Sequence, residues 1–216
     1  MKKSLVIFDM DGTLIDSSRT IANSINHVRQ NMGLSPMSHE QIISKVNDHS
    51  ISPAAYFYEV DAFEPIHEQW FNEYYTQNHA TELALYPSIY ALLQWLHERG
   101  IKIALATNAY RISALESVRH FGIEPFFDAV ACADDVRRGK PYPDMLFKIL
   151  EVLDKTNEEA IFVGDGPRDE DASEAAYIDY LMVDWGFTEH GRDKSVIGSV
   201  AELQERLAEV LSQNLK

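Results

Sequence analysis

Apolar residues recur along the chain with two different spacings, and the change of spacing divides it. The opening element, Ser4 to Phe8, is a continuous apolar run cut off by a polar turn containing Gly12, the pattern of a strand buried on both faces. From Ser17 the period becomes helical: Ile21, Ile25, Val28 and Met32 fall on one face, with Ser17 or Ser18 as the cap and Gly33 as the stop. Ser38 and Gln41 have capping-box spacing ahead of Ile42, Ile43 and Val46. Pro53 and Pro65 suit the first turns of two more helices, the second carrying Ile66, Trp70 and Tyr74 at four-residue intervals. Residues 17 to about 80 therefore predict a block of helices with no convincing strand.

Beyond that block, short apolar runs alternate with amphipathic stretches. A helix over 88–99 uses Ile89, Leu92, Leu93 and Leu96 and stops at Gly100; Ile101 to Ala106 then reads as a strand ending at Thr107. A helix to about Phe121 stops at Gly122. Further strands are predicted at 129–132, 160–163 and 180–183, with helices near 143–154, 169–177 and 199–212, where Ser199 and Glu202 again have capping-box spacing. Five short strands separated by helices predict an α/β fold, a doubly wound parallel, Rossmann-like sheet with right-handed crossovers. The core would comprise 1–16 and 83–216, with residues 17–82 inserted as an all-α domain. In such sheets ligands bind beyond the carboxyl ends of the strands.

Composition narrows the function. With 34 acidic and 19 basic residues, a net charge of -15 in 216 residues, most of the surface repels nucleic acid and anionic lipid, so neither is expected as a partner. An anionic substrate would have to be met by a local positive site. The lone Cys132 lies in an apolar run and excludes an intrachain disulfide; no stretch is long and apolar enough for a membrane helix, and Leu5 to Phe8 is too short for a signal-peptide core. A cytoplasmic location is the expectation.

Polar residues follow three of the predicted strands: Asp9 and Asp11, then Thr107 and Asn108, then Asp165 and Asp169. Lys140 lies in Arg138-Gly139-Lys140-Pro141 just before a helix. Singly, each has an ordinary reading as a turn residue, helix cap or solvated lysine. Together, carboxylates from two strand ends form a hard, oxygen-rich site suited to Mg²⁺, while the Thr107 hydroxyl and the Lys140 ammonium can hold phosphate oxygens.

Asp9-Met10-Asp11-Gly12-Thr13-Leu14 resembles the first motif of the haloacid dehalogenase-like hydrolases. Thr107-Asn108 is similar to their second motif, Lys140-Pro141-Tyr142-Pro143 to the third, and Val163-Gly164-Asp165-Gly166-Pro167-Arg168-Asp169 to the fourth. The helical insertion after the first motif resembles the cap of the phosphoglycolate phosphatase-like branch. The resemblance implies that Asp9 attacks phosphorus to form an aspartyl-phosphate and that Asp11 serves as acid and then base. It implies Mg²⁺ held by Asp9, Asp165 and the backbone carbonyl of Asp11, with Asp169 supporting the shell, and phosphoryl oxygens held by Thr107, Asn108 and Lys140. A small phosphorylated metabolite is the implied substrate. Lys45, Asn47 and His49, in a polar stretch of the cap, are the candidates for choosing it. Ser173 and Tyr177 replace an alanine and the glycine usual in the fourth motif, and the cap stretch lacks the glycine-rich pattern of a phosphoglycolate phosphatase.

Two other functions fit some of these observations. A sugar phosphomutase of the same family would share all four motifs, and a phosphate-binding protein without turnover would share the fold. The presence of Asp9, Asp11, Thr107, Lys140, Asp165 and Asp169 together argues against the protein without turnover, while interconversion of hexose phosphates would reveal a mutase. No EF-hand, zinc-protease or P-loop pattern occurs, and the eight histidines are scattered in the manner of surface or capping residues.

Overall fold

The structure, a computed structural model, describes residues 2–46, 48, 51–185 and 196–212. In chain order the elements are β1 (Leu5–Phe8), β2 (Ile15–Asp16), α1 (Ser18–Asn31), α2 (His39–Val46), α3 (Pro53–Tyr58), α4 (Pro65–Glu82), β3 (Ala84–Leu85) and α5 (Ile89–Glu98). Then come β4 (Lys102–Thr107), α6 (Arg111–His120), β5 (Ala129–Cys132), α7 (Asp144–Leu153), β6 (Ala160–Gly164), α8 (Pro167–Ala176), β7 (Asp179–Met182) and α9 (Val200–Ser212). The chain divides into two compact units, Met1–Ile15 with Leu85–Lys216, and Asp16–Ala84.

The first unit is built on a parallel five-stranded sheet of order β5-β4-β1-β6-β7. Alternation decides which side chains meet which layer. Leu5 and Ile7 of β1, Ala104 and Ala106 of β4 and Phe162 of β6 share one cluster with Met145, Leu146 and Ile149 of α7 and Ala172 and Ala176 of α8. Val6, Phe8, Ile103, Leu105, Ile161 and Val163, on the opposite face, are also buried. Burial on both faces is why these strands read as unbroken apolar runs. From β1 the chain moves to β4 and β5, then returns to β6 and β7 on the other side of β1. Strand order therefore reverses between β1 and β6, where doubly wound sheets open a binding crevice.

The second unit packs α1 against α4, α2 and α3 around Ala22, Ile25, Val28, Ile42, Phe57 and Tyr58. Buried Arg29 ties it together, donating to the carbonyls of Ser35 at 2.7 Å and Phe57 at 2.5 Å. The capping box at Ser38 and Gln41 forms reciprocally, and Ser52 caps α3.

Local departures have local causes. At the start of α1 it is the Asp16 carboxylate that accepts the Ser18 N–H, at 3.0 Å, whereas Ser17 makes no capping bond. Ser199 accepts the Glu202 N–H as a cap should, but Glu202 reaches back to the Gly198 N–H instead of completing the box on Ser199. The strands β2 and β3 are two residues each, too short for a periodic signal, and pair with one another. No described helix is long and apolar enough to cross a membrane. Cys132 is buried in β5, and burial pushes its thiol up to about 12, so it is an inert core residue.

Candidate active site

Asp9 is the first residue past β1, and its N–H donates to the Val163 carbonyl of β6 at 2.9 Å. That bond fixes it at the β1/β6 reversal, one step from Asp165 beyond the end of β6. The turn after Asp9 is closed by the Met10 carbonyl, which accepts the N–H groups of Leu14 and Ile15 at 2.9 Å each. Gly12 takes φ +84° within it, and a Cβ there would stand 2.1 Å from Oδ2 of Asp165. Both backbone conformation and space demand glycine at this position. Gly164 is constrained similarly: a Cβ would lie 2.6 Å from Asp169.

Lys140 enters from the loop before α7. Its N–H donates to Oδ1 of Asn108 and its carbonyl accepts from Nδ2 of Asn108, both at 2.9 Å. Gly139 lets Asn108 approach, since a Cβ there would meet its Oδ1 at 2.5 Å. So tethered, Lys140 donates from Nζ to Oδ1 of Asp9 and pairs with Oδ1 of Asp169 at 2.6 Å, all three groups being buried. Its ammonium also lies 5.5 Å from the centre of the Phe162 ring. Asp169, in the first turn of α8, accepts the Gly166 N–H on its other oxygen at 3.3 Å. Thr107, at the end of β4, is buried, and its hydroxyl accepts the Ala109 N–H at 3.0 Å.

Asp9, Asp165 and Asp169 each bring one carboxylate oxygen within 4.8 Å of the others. Burial foremost pushes Asp9 up to about 7; Lys140 pulls it down, and the charges on Asp169 and Asp11 push it up again. Asp165 is raised well above the usual carboxylate range by burial, then by Asp9 and Asp169. Burial pulls Lys140 down, but Asp169 and Asp9 outweigh it and hold the ammonium above its ordinary value. Two buried carboxylates and the half-buried Asp165 thus stand around one fixed ammonium, an arrangement that favours an added cation.

Asp9, Lys140, Asp165 and Asp169 therefore come together through direct side-chain contacts or the carboxylate cluster. The Asp11 side chain is outside the three-carboxylate group and acts on Asp9 through its charge. Asn108 uses its amide on the Lys140 backbone. Lys45 belongs to the Asp16–Ala84 unit, where its ammonium pairs with Asp48 at 2.6 Å. Asn47 and His49 lie outside the described residues. Sequence reasoning missed Thr13, whose hydroxyl is 3.5 Å from Oδ2 of Asp9, and Trp185, whose indole N–H donates to the Thr13 carbonyl at 3.0 Å. Position 13 could have been found from its place in the first motif. Trp185 carried no signal, because its partner lies 172 residues away.

The haloacid dehalogenase-like hydrolase family matches residues 6–183. The chain is 31% identical over 176 residues to pyrophosphatase PpaX of Halalkalibacterium halodurans, covering 78% of each protein. It is 31% identical over 184 residues to pyrophosphatase PpaX of Bacillus pumilus, covering 83% of this chain and 82% of that one. Among solved structures, a predicted phosphoglycolate phosphatase from Haemophilus somnus superposes with TM-score 0.81 at 21% identity, covering 96% of this chain and 99% of that one. A haloacid dehalogenase-like family hydrolase from Streptococcus pneumoniae superposes with TM-score 0.80 at 22% identity, covering 95% and 98%. At these identities the structural likeness concerns the fold.

Proposed function

The chain belongs to the haloacid dehalogenase-like hydrolase family, and from that premise we propose that it is a Mg²⁺-dependent phosphatase of small phosphate monoesters, working through an aspartyl-phosphate on Asp9. The observation that carries this reading is the convergence of Asp9, Asp165 and Asp169 within 4.8 Å around the Lys140 ammonium. All-oxygen, carboxylate-rich donors with excess negative charge fit a hard divalent cation. Asp9, Asp165 and the Asp11 carbonyl would hold it, with Asp169 in support. When bound, Mg²⁺ offsets the repulsion between carboxylates and phosphate and withdraws charge from the phosphoryl oxygens.

The side chains divide the remaining work. A carboxylate oxygen of Asp9 forms a bond to phosphorus as the bond to the leaving oxygen breaks, and Asp11 gives that oxygen its proton. Asp11 then takes a proton from water, whose oxygen bonds to phosphorus as the Asp9–phosphorus bond breaks. Lys140 and Thr107 hold the phosphoryl oxygens throughout. Asn108 acts one step removed, by holding the backbone of Lys140. The inserted unit serves as the cap, and Lys45, Asn47 and His49 bias the choice of leaving group. The similarity to the PpaX proteins favours inorganic pyrophosphate as a second candidate substrate.

A screen of phosphorylated metabolites, hexose phosphates and pyrophosphate with Mg²⁺, read by free phosphate, tests this assignment. Release from one or a few small esters is expected, with pyrophosphate turnover supporting the second reading. Asp9→Asn should abolish turnover and covalent labelling, whereas Asp11→Asn should slow turnover by about 10²- to 10⁴-fold. Interconversion of hexose phosphates without phosphate release would make the protein a mutase; no turnover of any ester would make it a binding protein.

A further inference from the structure

Oδ1 of Asp9 is held by Lys140, which leaves the orientation of the carboxylate dependent on what meets Oδ2. Among the described residues the Thr13 hydroxyl is the hydrogen-bond partner of Oδ2, a long contact of 3.5 Å. Thr13 is fully buried, and among the described residues the indole N–H of Trp185 is the hydrogen-bond donor to its carbonyl. The indole is itself seated: its ring lies 5.9 Å from that of Tyr86, and the Tyr86 N–H donates to the Leu14 carbonyl at 3.1 Å. Trp185, Thr13, Leu14 and Tyr86 therefore close a ring of contacts that includes the residue whose hydroxyl lies 3.5 Å from Oδ2 of Asp9. Packing alone accounts for the Tyr86 contact, but not for an N–H aimed at the peptide of the residue whose hydroxyl approaches Oδ2.

We propose that Trp185 is a positioning residue for the reaction: its indole N–H fixes the Thr13 peptide, and the Thr13 hydroxyl so aimed holds Oδ2 of Asp9 in line for attack. The proposal rests on the reading of Asp9 as the attacking group. A misaimed nucleophile forfeits transition-state interactions while the groups that hold ground-state phosphate stay in place, so the effect belongs in kcat rather than KM.

A double-mutant cycle on turnover of an aryl phosphate with Mg²⁺ tests it. Trp185→Phe keeps a ring and removes the N–H; Thr13→Val removes the hydroxyl and keeps the shape. Each is expected to lower kcat about five- to tenfold, with KM within about twofold of the parent, the scale of one hydrogen bond. Because both act through one relay, Trp185→Phe in the Thr13→Val background should cost almost nothing further. Thr13→Ser, which restores the hydroxyl, should recover most of kcat. Losses that multiply in the double variant, losses that fall on KM, or an unchanged kcat in either single variant would overturn the proposal. Should Trp185→Phe fail to fold, Trp185→Tyr, which also lacks the indole N–H, takes its place in the cycle with the same outcomes. Asp9→Asn separates the two levels: turnover in that variant defeats the reading of Asp9 and this inference together, whereas Asp9-dependent turnover indifferent to Trp185 defeats the inference only.

Discussion

Asp9 and Lys140 show how single side chains in this protein are set against their own solvation. The Asp9 carboxylate is buried among other acids, and Lys140 offsets only part of that cost, leaving the group raised to about 7 from an ordinary 3.8. A folded-state value above the unfolded one means that, between the two, the native state binds more protons. Stability from this group is therefore highest at low pH and falls as pH rises toward and through 7. Asp9→Asn removes the charge without changing the shape. In chelator, the variant should melt several degrees above the parent at pH 8, and the advantage should fade as pH falls toward 5. Thermal melts of both proteins across that range check it; a constant difference, or one that grows on acidification, contradicts the assignment. The identities of these groups were readable because each lies in a short motif, Asp9 just past a strand end and Lys140 in the loop before a helix. The Asn108 amide bonds to the Lys140 backbone were not, since they join residues 32 apart whose approach depends on Gly139.

Among the elements, α8 carries the clearest trade between site and stability. It begins at Gly166 with Pro167 in its first turn, which suits proline's fixed φ, and its third helical residue, Asp169, is the one delivered to the site. It ends at Tyr177, a non-glycine residue in the left-handed region at φ 55° and 83% exposed. A side chain there strains the backbone and buries little, so Tyr177→Gly should stabilise the fold by about 0.5–1 kcal/mol. The denaturant midpoint should rise with an unchanged slope. A fall in the midpoint would mean that the exposed ring makes contacts worth more than the strain. Most helices and the five core strands were legible because burial on defined faces imposes a period. The terminal details were not: Asp16 rather than Ser17 caps α1, because an acid one residue earlier has the longer reach.

For the molecule as a whole, with its net charge of -15 and its acidic centre, a cation taken up there would matter for stability as well as chemistry. A metal bound only by the native state raises stability by about 2.7 kcal/mol at a hundredfold excess over its dissociation constant. For a chain of this size that is a rise of about 5–10 °C in melting temperature. Mg²⁺ should produce such a rise over chelator, restore turnover that chelation abolishes, and do both better than Ca²⁺, whose looser coordination suits a compact three-carboxylate site poorly. Full activity in excess chelator, or melting indifferent to Mg²⁺, would contradict a metal centre here.

The sequence by itself determined the sheet, its helices and the identity of the acidic groups. Strand burial on both faces writes continuous apolar runs, helical packing writes a period near 3.6, and motif residues sit beside the strand ends that carry them. Only the tertiary structure decided that Asp9 and Asp165 stand at adjacent strand ends, that Lys140 lies between Asp9 and Asp169, and that Trp185 reaches Thr13. Those relations depend on strand order and on contacts between residues far apart in the chain, and no local spacing encodes them.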